Sequence, residues 1–239
     1  MMKGCSGNSH SGSDRPEIVA IIPARGGSKG ILRKNLVPLA GKPLIAHTLQ
    51  VALHSQMINR VVVSTDDEEI AEVAIGLGAE VPFLRPKHLA NDYSSLNDVI
   101  NHSITRLEQL GYCCDVVAIM LPSHPFRSVH LVDSLLGVLL EGCTMVLTVR
   151  KKEVSATNFF GMSKDGRLTC LFTQPAQHGV YYRNYGLFTA YNRTGQPPMR
   201  GIHLYQLCDP ISVIDIDTHD DLALAEVVFQ KKLFDFGLQ

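Results

Sequence analysis

At 239 residues, 45% of them hydrophobic, the chain can build one domain with a substantial core. A formal charge of −1 argues against a nucleic-acid or membrane-surface partner recognised by bulk charge, so any anion must be met by a local cluster. No apolar run approaches ~18 residues, which excludes a membrane-spanning helix. The polar stretch 1–17 is expected to be a disordered tail, not a signal peptide, ahead of a domain over 18–239. None of the six cysteines sits in a C-x-x-C pair. They read as free thiols in a reducing, cytoplasmic compartment, without structural zinc.

Apolar, β-rich runs alternate with helical patterns along the chain. The runs are IVAIIPA (18–24), RVVVSTD (60–66), EVPFLR (80–85), DVVAIML (115–121), TMVLTVR (144–150), YGLFTAYN (185–192) and ISVIDID (211–217). Helices are expected over Leu44–Ser55, Asp67–Leu77, Ser95–Leu110, Val129–Glu141 and Asp220–Lys232. The runs are mostly continuous rather than alternating, as in strands covered on both faces. This order predicts an α/β fold with a mostly parallel central sheet and helices on both sides. The rhythm breaks over 151–182, where KDG signals a hairpin. That stretch reads as an inserted arm meeting a second subunit or as an ordinary surface excursion.

The first run is followed by ARGGSKGILRKN (24–35). Ligands of doubly wound sheets bind beyond the carboxyl ends of the strands. Glycines let backbone amides approach an anion, and Arg25, Lys29, Arg33 and Lys34 can neutralise it. The order of residues matches neither a Walker A loop nor G-x-G-x-x-G. The alternative is a basic surface loop. Against it stands SVIDIDTHDD near the other end, where Asp215 and Asp217, two apart in an apolar alternation, are expected on one face of a strand. Paired carboxylates need a proton or a cation, and a small set of hard oxygens suits Mg2+. An acid-rich helix start explains Asp220 and Asp221 better than it explains that pair.

IIPARGGSKGILRKNL, GKPLIAHTL, VVVSTDDEEIAEVA, FLRPKHLANDYSS, LPSHPFR and SVIDIDTHDDLALAE, in this order, resemble the acylneuraminate-type cytidylyltransferases over about Ile18 to Glu226. These are the CMP-sialic acid synthetases and their bacterial nonulosonic-acid relatives. The resemblance implies a Rossmann-like nucleotidyltransferase fold with a dimerisation arm. It implies Mg2+-dependent joining of CTP to the anomeric hydroxyl of an acidic nine-carbon sugar, with release of pyrophosphate, in a homodimer. Arg25 and Lys34 correspond to the catalytic triphosphate ligands, with Gly26, Gly27, Ser28 and Lys29 completing the cradle. Asn35 corresponds to a nucleoside contact, and Ser95 to a serine near the ribose or, alternatively, a helix cap. Arg85 corresponds to the arginine that reads cytosine, a forked contact lysine cannot copy. Asp215 and Asp217 correspond to the metal ligands, Asp217 also assisting removal of the hydroxyl proton. Arg127 has a family counterpart whose role is either ligand contact or ion pair.

The acceptor half departs from the sialate pattern. Leu121 precedes PSHPFR where a glutamine is usual, Tyr185 stands where an asparagine is usual, Leu32 replaces a proline, and TQPAQHG offers no partner for an expected arginine. His124, Tyr182, Arg183 and Tyr185 are expected to line this half, or else to serve packing and surface pairing. Lost partners for substrate hydroxyls penalise sialate itself. The acceptor is therefore expected to be a related nonulosonic acid or another acid such as a phosphonate. A catalytically inactive nucleotide-binding regulatory protein is the reading from another class.

Overall fold

The computed structural model describes residues 15–91, 93–154, 160–162, 168–170, 179–195 and 201–238. Most of the expected tail, residues 1–14, lies outside them. Glu17 already belongs to the domain, since its carbonyl accepts the amides of Asp115 and Val116, both at 3.1 Å.

A six-stranded sheet forms the centre, in the order β10-β6-β9-β5-β1-β4. Its strands are β1 (Ile18–Pro23), β4 (Arg60–Ser64), β5 (Val116–Ile119), β6 (Met145–Val154), β9 (Gly179–Asn192) and β10 (Ile202–Gln206). β1 pairs parallel with β4 and β5, and β10 parallel with β6, whereas β9 runs antiparallel between β5 and β6. Two short hairpins complete the β structure, β2 (Pro38–Leu39) with β3 (Lys42–Pro43), and β7 (Phe160–Met162) with β8 (Leu168–Cys170). The KDG turn falls in 163–167, outside the described residues.

β1 shows why continuous apolar runs suit this position. Ile18, Ala20 and Ile22 enter one core with Ile45 and Leu49 of α1 (Leu44–His54), Ile70 and Ala74 of α2 (Glu68–Gly76), and Leu135 and Leu139 of α4 (Val129–Leu140). Val19 and Ile21 face the other way, onto Ile100, Ile104 and Leu107 of α3 (Leu96–Gln109). Each fully buried aliphatic side chain contributes about 1.5–3 kcal/mol. A third cluster joins Ile31, Leu39, Phe126, Ile214 and Ile216 to Ala225 and Val228 of α5 (His219–Gln230). Side-chain caps start the helices where the sequence predicts: Asp67 accepts from Ile70, Ser95 from Asp98, Ser128 from Leu131, and Thr218 forms a capping box with Asp221.

Two expected strands are absent. EVPFLR makes only an isolated bridge from Glu80 to Val62 and a bond from the Arg85 amide to the Thr65 carbonyl, because Pro82 between them has no N–H to donate. ISVIDID leaves a turn in which the Asp209 carboxylate accepts the amides of Ile211 and Ser212, then runs extended with the Ile216 amide on the Ser123 carbonyl at 2.8 Å. The sheet edge beside β6 is held instead by β10, a strand the sequence reading did not contain. The alternation of ISVIDID survives without a ladder, since Ile214 and Ile216 are buried while Asp215 and Asp217 remain partly exposed.

Close approach fixes this segment against the loop after β1. A Cβ added to Gly30 would lie 2.0 Å from the Asp217 carbonyl oxygen, and both parties are backbone. Gly30→Ala is expected to push the two segments apart and cost roughly 1–3 kcal/mol of stability, the range for overpacking. Urea unfolding of the purified variant measures this; an unchanged midpoint would contradict the contact.

Candidate active site

The loops after β1, β4 and β5 meet at the carboxyl ends of these parallel strands, as open α/β sheets require of a ligand site. Between them lies a cleft of about 340 Å³ whose walls include Arg25, Lys34, Asn35, Arg85, Ser94 and Ser123. Asp215 and Asp217 border it through Ser123 and Lys34. Lys34 Nζ donates to Asp217 Oδ1 at 2.7 Å, joining residues 183 apart in sequence.

The loop after β1 is built by specific bonds. The Ala24 amide donates to the Ser64 carbonyl at 2.9 Å, and the Gly26 amide to Asp66 Oδ1 at 3.0 Å. Buried Asn35 donates its side-chain amide to the Arg25 carbonyl at 2.9 Å, which folds the loop back on itself. Gly27 is open, with no atom near its absent Cβ. Ser28 and Lys29 lie on the same loop. Arg33 does not join the cations facing the cleft. It adopts a left-handed φ of 52° and forks onto both oxygens of Asp67 at 2.8 and 2.9 Å, with Glu69 at 2.7 Å. The sequence reading missed this clamp, although STDDEE follows the strand that neighbours β1.

Arg85 is 6% exposed and donates to the Ser64 hydroxyl at 3.3 Å and to the Ser64 carbonyl. Burial lowers its pKa to about 10, opposed by Asp66 and assisted by Arg25, so it stays cationic at neutral pH. Ser95 caps α3, accepting from the Asp98 amide at 3.1 Å and donating to its carboxylate at 2.8 Å. Its neighbours Ser94 and Leu96 line the cleft.

The loop after β5 carries a fully buried Arg127. It donates to the carbonyls of Leu121 at 2.7 Å and His124 at 2.8 Å, and to the Thr48 hydroxyl at 3.3 Å. No carboxylate pairs with it among the described residues, and burial lowers its pKa to about 9. Of the two roles weighed from sequence, the ion pair is absent among the described residues, and the side chain braces the loop from within.

His124 is 3% exposed, edge-on to the Tyr185 ring at 4.7 Å, with Nδ1 3.0 Å from the Ser123 hydroxyl and 3.3 Å from Asp215 Oδ1. Burial, then Arg127 and Lys34, drives its pKa down to about 3, so the imidazole is neutral and its approach to Asp215 is no ion pair. Burial raises the Asp215 pKa and Asp217 adds to this, while the Ser123 hydrogen bond and Lys34 act the other way. Asp215 Oδ1 is buried without a hydrogen-bond donor. A buried carboxylate oxygen lacking a donor, beside a second carboxylate, fits a cation. Among the described residues no three His, Cys, Asp or Glu side chains form a closed cage. Two carboxylates alone leave most of a hard cation's shell to water and ligand oxygens, the mode of binding that Mg2+ tolerates.

Tyr185 donates its hydroxyl to the Val213 carbonyl, fastening β9 to the acid-bearing segment. Thr148 fills the adjoining β-bulge, its single hydroxyl proton shared between the carbonyls of Tyr185 at 2.6 Å and Phe188 at 2.9 Å. Here a Cβ on Gly186 would sit 2.3 Å from Leu121 Cδ1. Tyr182 and Arg183 are exposed further along β9, opposite Lys151 and Arg150 of β6. The stretch 171–178, holding most of TQPAQHG, lies outside the described residues.

The protein-family model described as Cytidylyltransferase matches residues 19–118. The pseudaminic acid cytidylyltransferase of Campylobacter jejuni subsp. jejuni serotype O:2 is 45% identical over 107 residues, 45% of this chain and 46% of that protein. The N-acylneuraminate cytidylyltransferase of Escherichia coli O18:K1:H7 is 32% identical over 241 residues, covering 91% of this chain and 53% of that protein. The chain thus spans about half the length of these curated relatives. A solved CMP:2-keto-3-deoxy-manno-octonic acid synthetase complexed with CTP superposes with a TM-score of 0.64 at 18% identity, over 90% of this chain and 99% of that one, a likeness of fold. The motif order, the sheet topology and these likenesses agree: the chain is similar to cytidylyltransferases, acylneuraminate-type members among them.

Proposed function

We propose that the chain transfers the cytidylyl group of CTP to the anomeric hydroxyl of an acidic nonulosonic sugar, with Mg2+, releasing pyrophosphate. The observation that carries this reading is the meeting of Lys34 and Asp217 at 2.7 Å, which brings the cationic loop and the acidic segment to one cleft. Arg25 and Lys34 hold the triphosphate, with backbone amides of Gly26, Gly27, Ser28 and the side chain of Lys29 around it. Arg85, fixed by Ser64, recognises cytosine, and Asn35 and Ser95 stand on the nucleoside side. The hydroxyl oxygen of the sugar attacks the α-phosphorus as the bond to the bridging oxygen of the β-phosphate breaks. Pyrophosphate leaves with that electron pair, and the hydroxyl proton passes to Asp217. Mg2+ held by Asp215 and Asp217 supplies Lewis acidity when bound. Prepositioned cations matter because charge develops on phosphoryl oxygens and leaving group.

His124, Tyr182, Arg183 and Tyr185 border the acceptor side. Tyr185 uses its hydroxyl internally, on the Val213 carbonyl. This favours, as a second reading, an acidic acceptor with fewer hydroxyls than sialate, such as a phosphonate. A cytoplasmic setting is supported by free Cys114, Cys143 and Cys208. No helix among the described residues is long and apolar enough to cross a membrane. A homodimer is supported by the antiparallel β6–β9 pairing, which continues to Val154 opposite Gly179, and by Ile202 and Leu204 exposed on edge strand β10.

Pyrophosphate release from CTP, with a panel of nonulosonic acids and phosphonates, tests the reaction. Lys34→Ala and Asp217→Asn are each expected to lower turnover about 10²-fold or more, and EDTA to abolish it. Near-normal rates in either folded variant would refute these roles, and CTP binding without release would leave a regulatory protein. Arg85→Lys should raise KM for CTP about tenfold, one charge-assisted hydrogen bond of ~1.5 kcal/mol, and narrow discrimination against UTP. Equal CTP and UTP kinetics in the unaltered protein would remove the base-reading role. Sedimentation equilibrium should return twice the 26.3 kDa chain mass; a monomer would rule out the dimer.

A further inference from the structure

A second cavity, of about 420 Å³, lies behind the loop after β5, between α1, the end of α5 and the segment that follows it. Phe126, Phe229, Phe234 and Phe236 wall it. Phe229 and Phe236 stack at 5.4 Å, Phe234 meets Phe236 edge-on at 4.9 Å, and Phe126 meets Phe234 at 5.6 Å. Well-packed interiors leave few voids larger than a water molecule, so four rings around an open space of this size form a preformed pocket for a small organic body, within the roughly 300–1,000 Å³ of such sites.

Its charged side chains have one sign, with Gln50 and His47 beside them. Lys42 and Lys232 line the cavity, and no carboxylate side chain does among the described residues. Among the described residues neither lysine has an ion-pair partner, and Lys42 only touches Gln50 Oε1 at 3.3 Å. Glu226, beside Ala40, already accepts that residue's amide at 2.8 Å. Lys232 stands in the left-handed region, φ 52°, just past the end of α5, where glycine is the usual occupant.

The cavity and the cleft lie on either side of one loop. Phe126 precedes Arg127, whose guanidinium holds the carbonyls of Leu121 and His124, and Leu121 and Ser123 line the nucleotide cleft. Phe126 and Val228 share a cluster with Ile214 and Ile216, which flank Asp215.

We propose that this cavity binds a small amphipathic organic anion, its apolar ring or short acyl body among the four phenylalanines and its acid group between Lys42 and Lys232, and that occupancy stiffens the loop 121–127.

The probe is 8-anilinonaphthalene-1-sulfonate titrated into the full chain. One saturable site per chain is expected, weakened about fivefold or more in Lys232→Gly and in Lys42→Gln, since the charges near the anion are few and partly desolvated. Lys232→Gly also relieves the left-handed backbone, so loss of binding in it is not loss of fold. The uncharged N-phenyl-1-naphthylamine should bind more weakly than the sulfonate. Probe binding should slow amide exchange at His124 and Arg127. Non-saturable binding, equal affinity in both lysine variants, or tighter binding of the uncharged dye would overturn the site. Unchanged exchange over 121–127 would overturn its link to the cleft. Probe affinity that falls as protein concentration rises would show a second copy covering the cavity and overturn the small-anion assignment.

Discussion

Everything at the cleft depends on the junction between the loop after β1 and the segment carrying Asp215 and Asp217. It has a steric half and an electrostatic half. Gly30 lets the Asp217 backbone approach to a distance no other side chain tolerates, and Lys34 meets the Asp217 carboxylate at 2.7 Å. Two carboxylates this near each other repel, and burial of Asp215 sharpens the penalty. The ammonium of Lys34 offsets part of it. On the proposed reading, a polyphosphate and a divalent cation would let the same charges exchange partners without rebuilding the backbone.

Not all cations of the opening loop are available for that exchange. Arg33 lies between Asp67 and Glu69, and its fork fastens the loop to the start of α2. Asp66 takes the Gly26 amide beside it. The acids after β4 therefore hold the shape of the loop while Arg25, Lys34 and Arg85 face the cleft. Division of labour between shaping and ligand-facing charges follows from which residues lie on adjacent parallel strands, β1 and β4.

Much of this was legible in the sequence for a local reason. The helices have strong start signals, such as Asp67 before EEIAEVAIG and Ser128 before VHLVDSLLGVLL, and their bounds agree with expectation to within a residue or two. Runs such as IVAII and VVAI could only be buried strands. EVPFLR and ISVIDID misled because apolar alternation reports which side of an extended chain is buried, not whether a neighbouring strand is free to pair. β10 was missed because IHLYQ is short and lies at an edge, where partial exposure erases the pattern. At the site, motif order pointed to the basic loop and the acidic segment, which the fold brings together at Lys34 and Asp217. Asp66, Asp67 and the bracing role of Arg127 depend on tertiary contacts between distant loops, which no local spacing encodes.

Arg127 has a consequence for how the cleft responds to its medium. Its partners are two carbonyls and a hydroxyl, none of which titrates between acid and neutral pH. A guanidinium held by a carboxylate would lose its counterion on acidification, but one held by dipoles keeps the same surroundings. With a pKa of about 9, it remains charged throughout that range. The brace on the loop after β5 therefore holds alike from acid to neutral pH, and the Leu121 and His124 carbonyls stay where it fixes them.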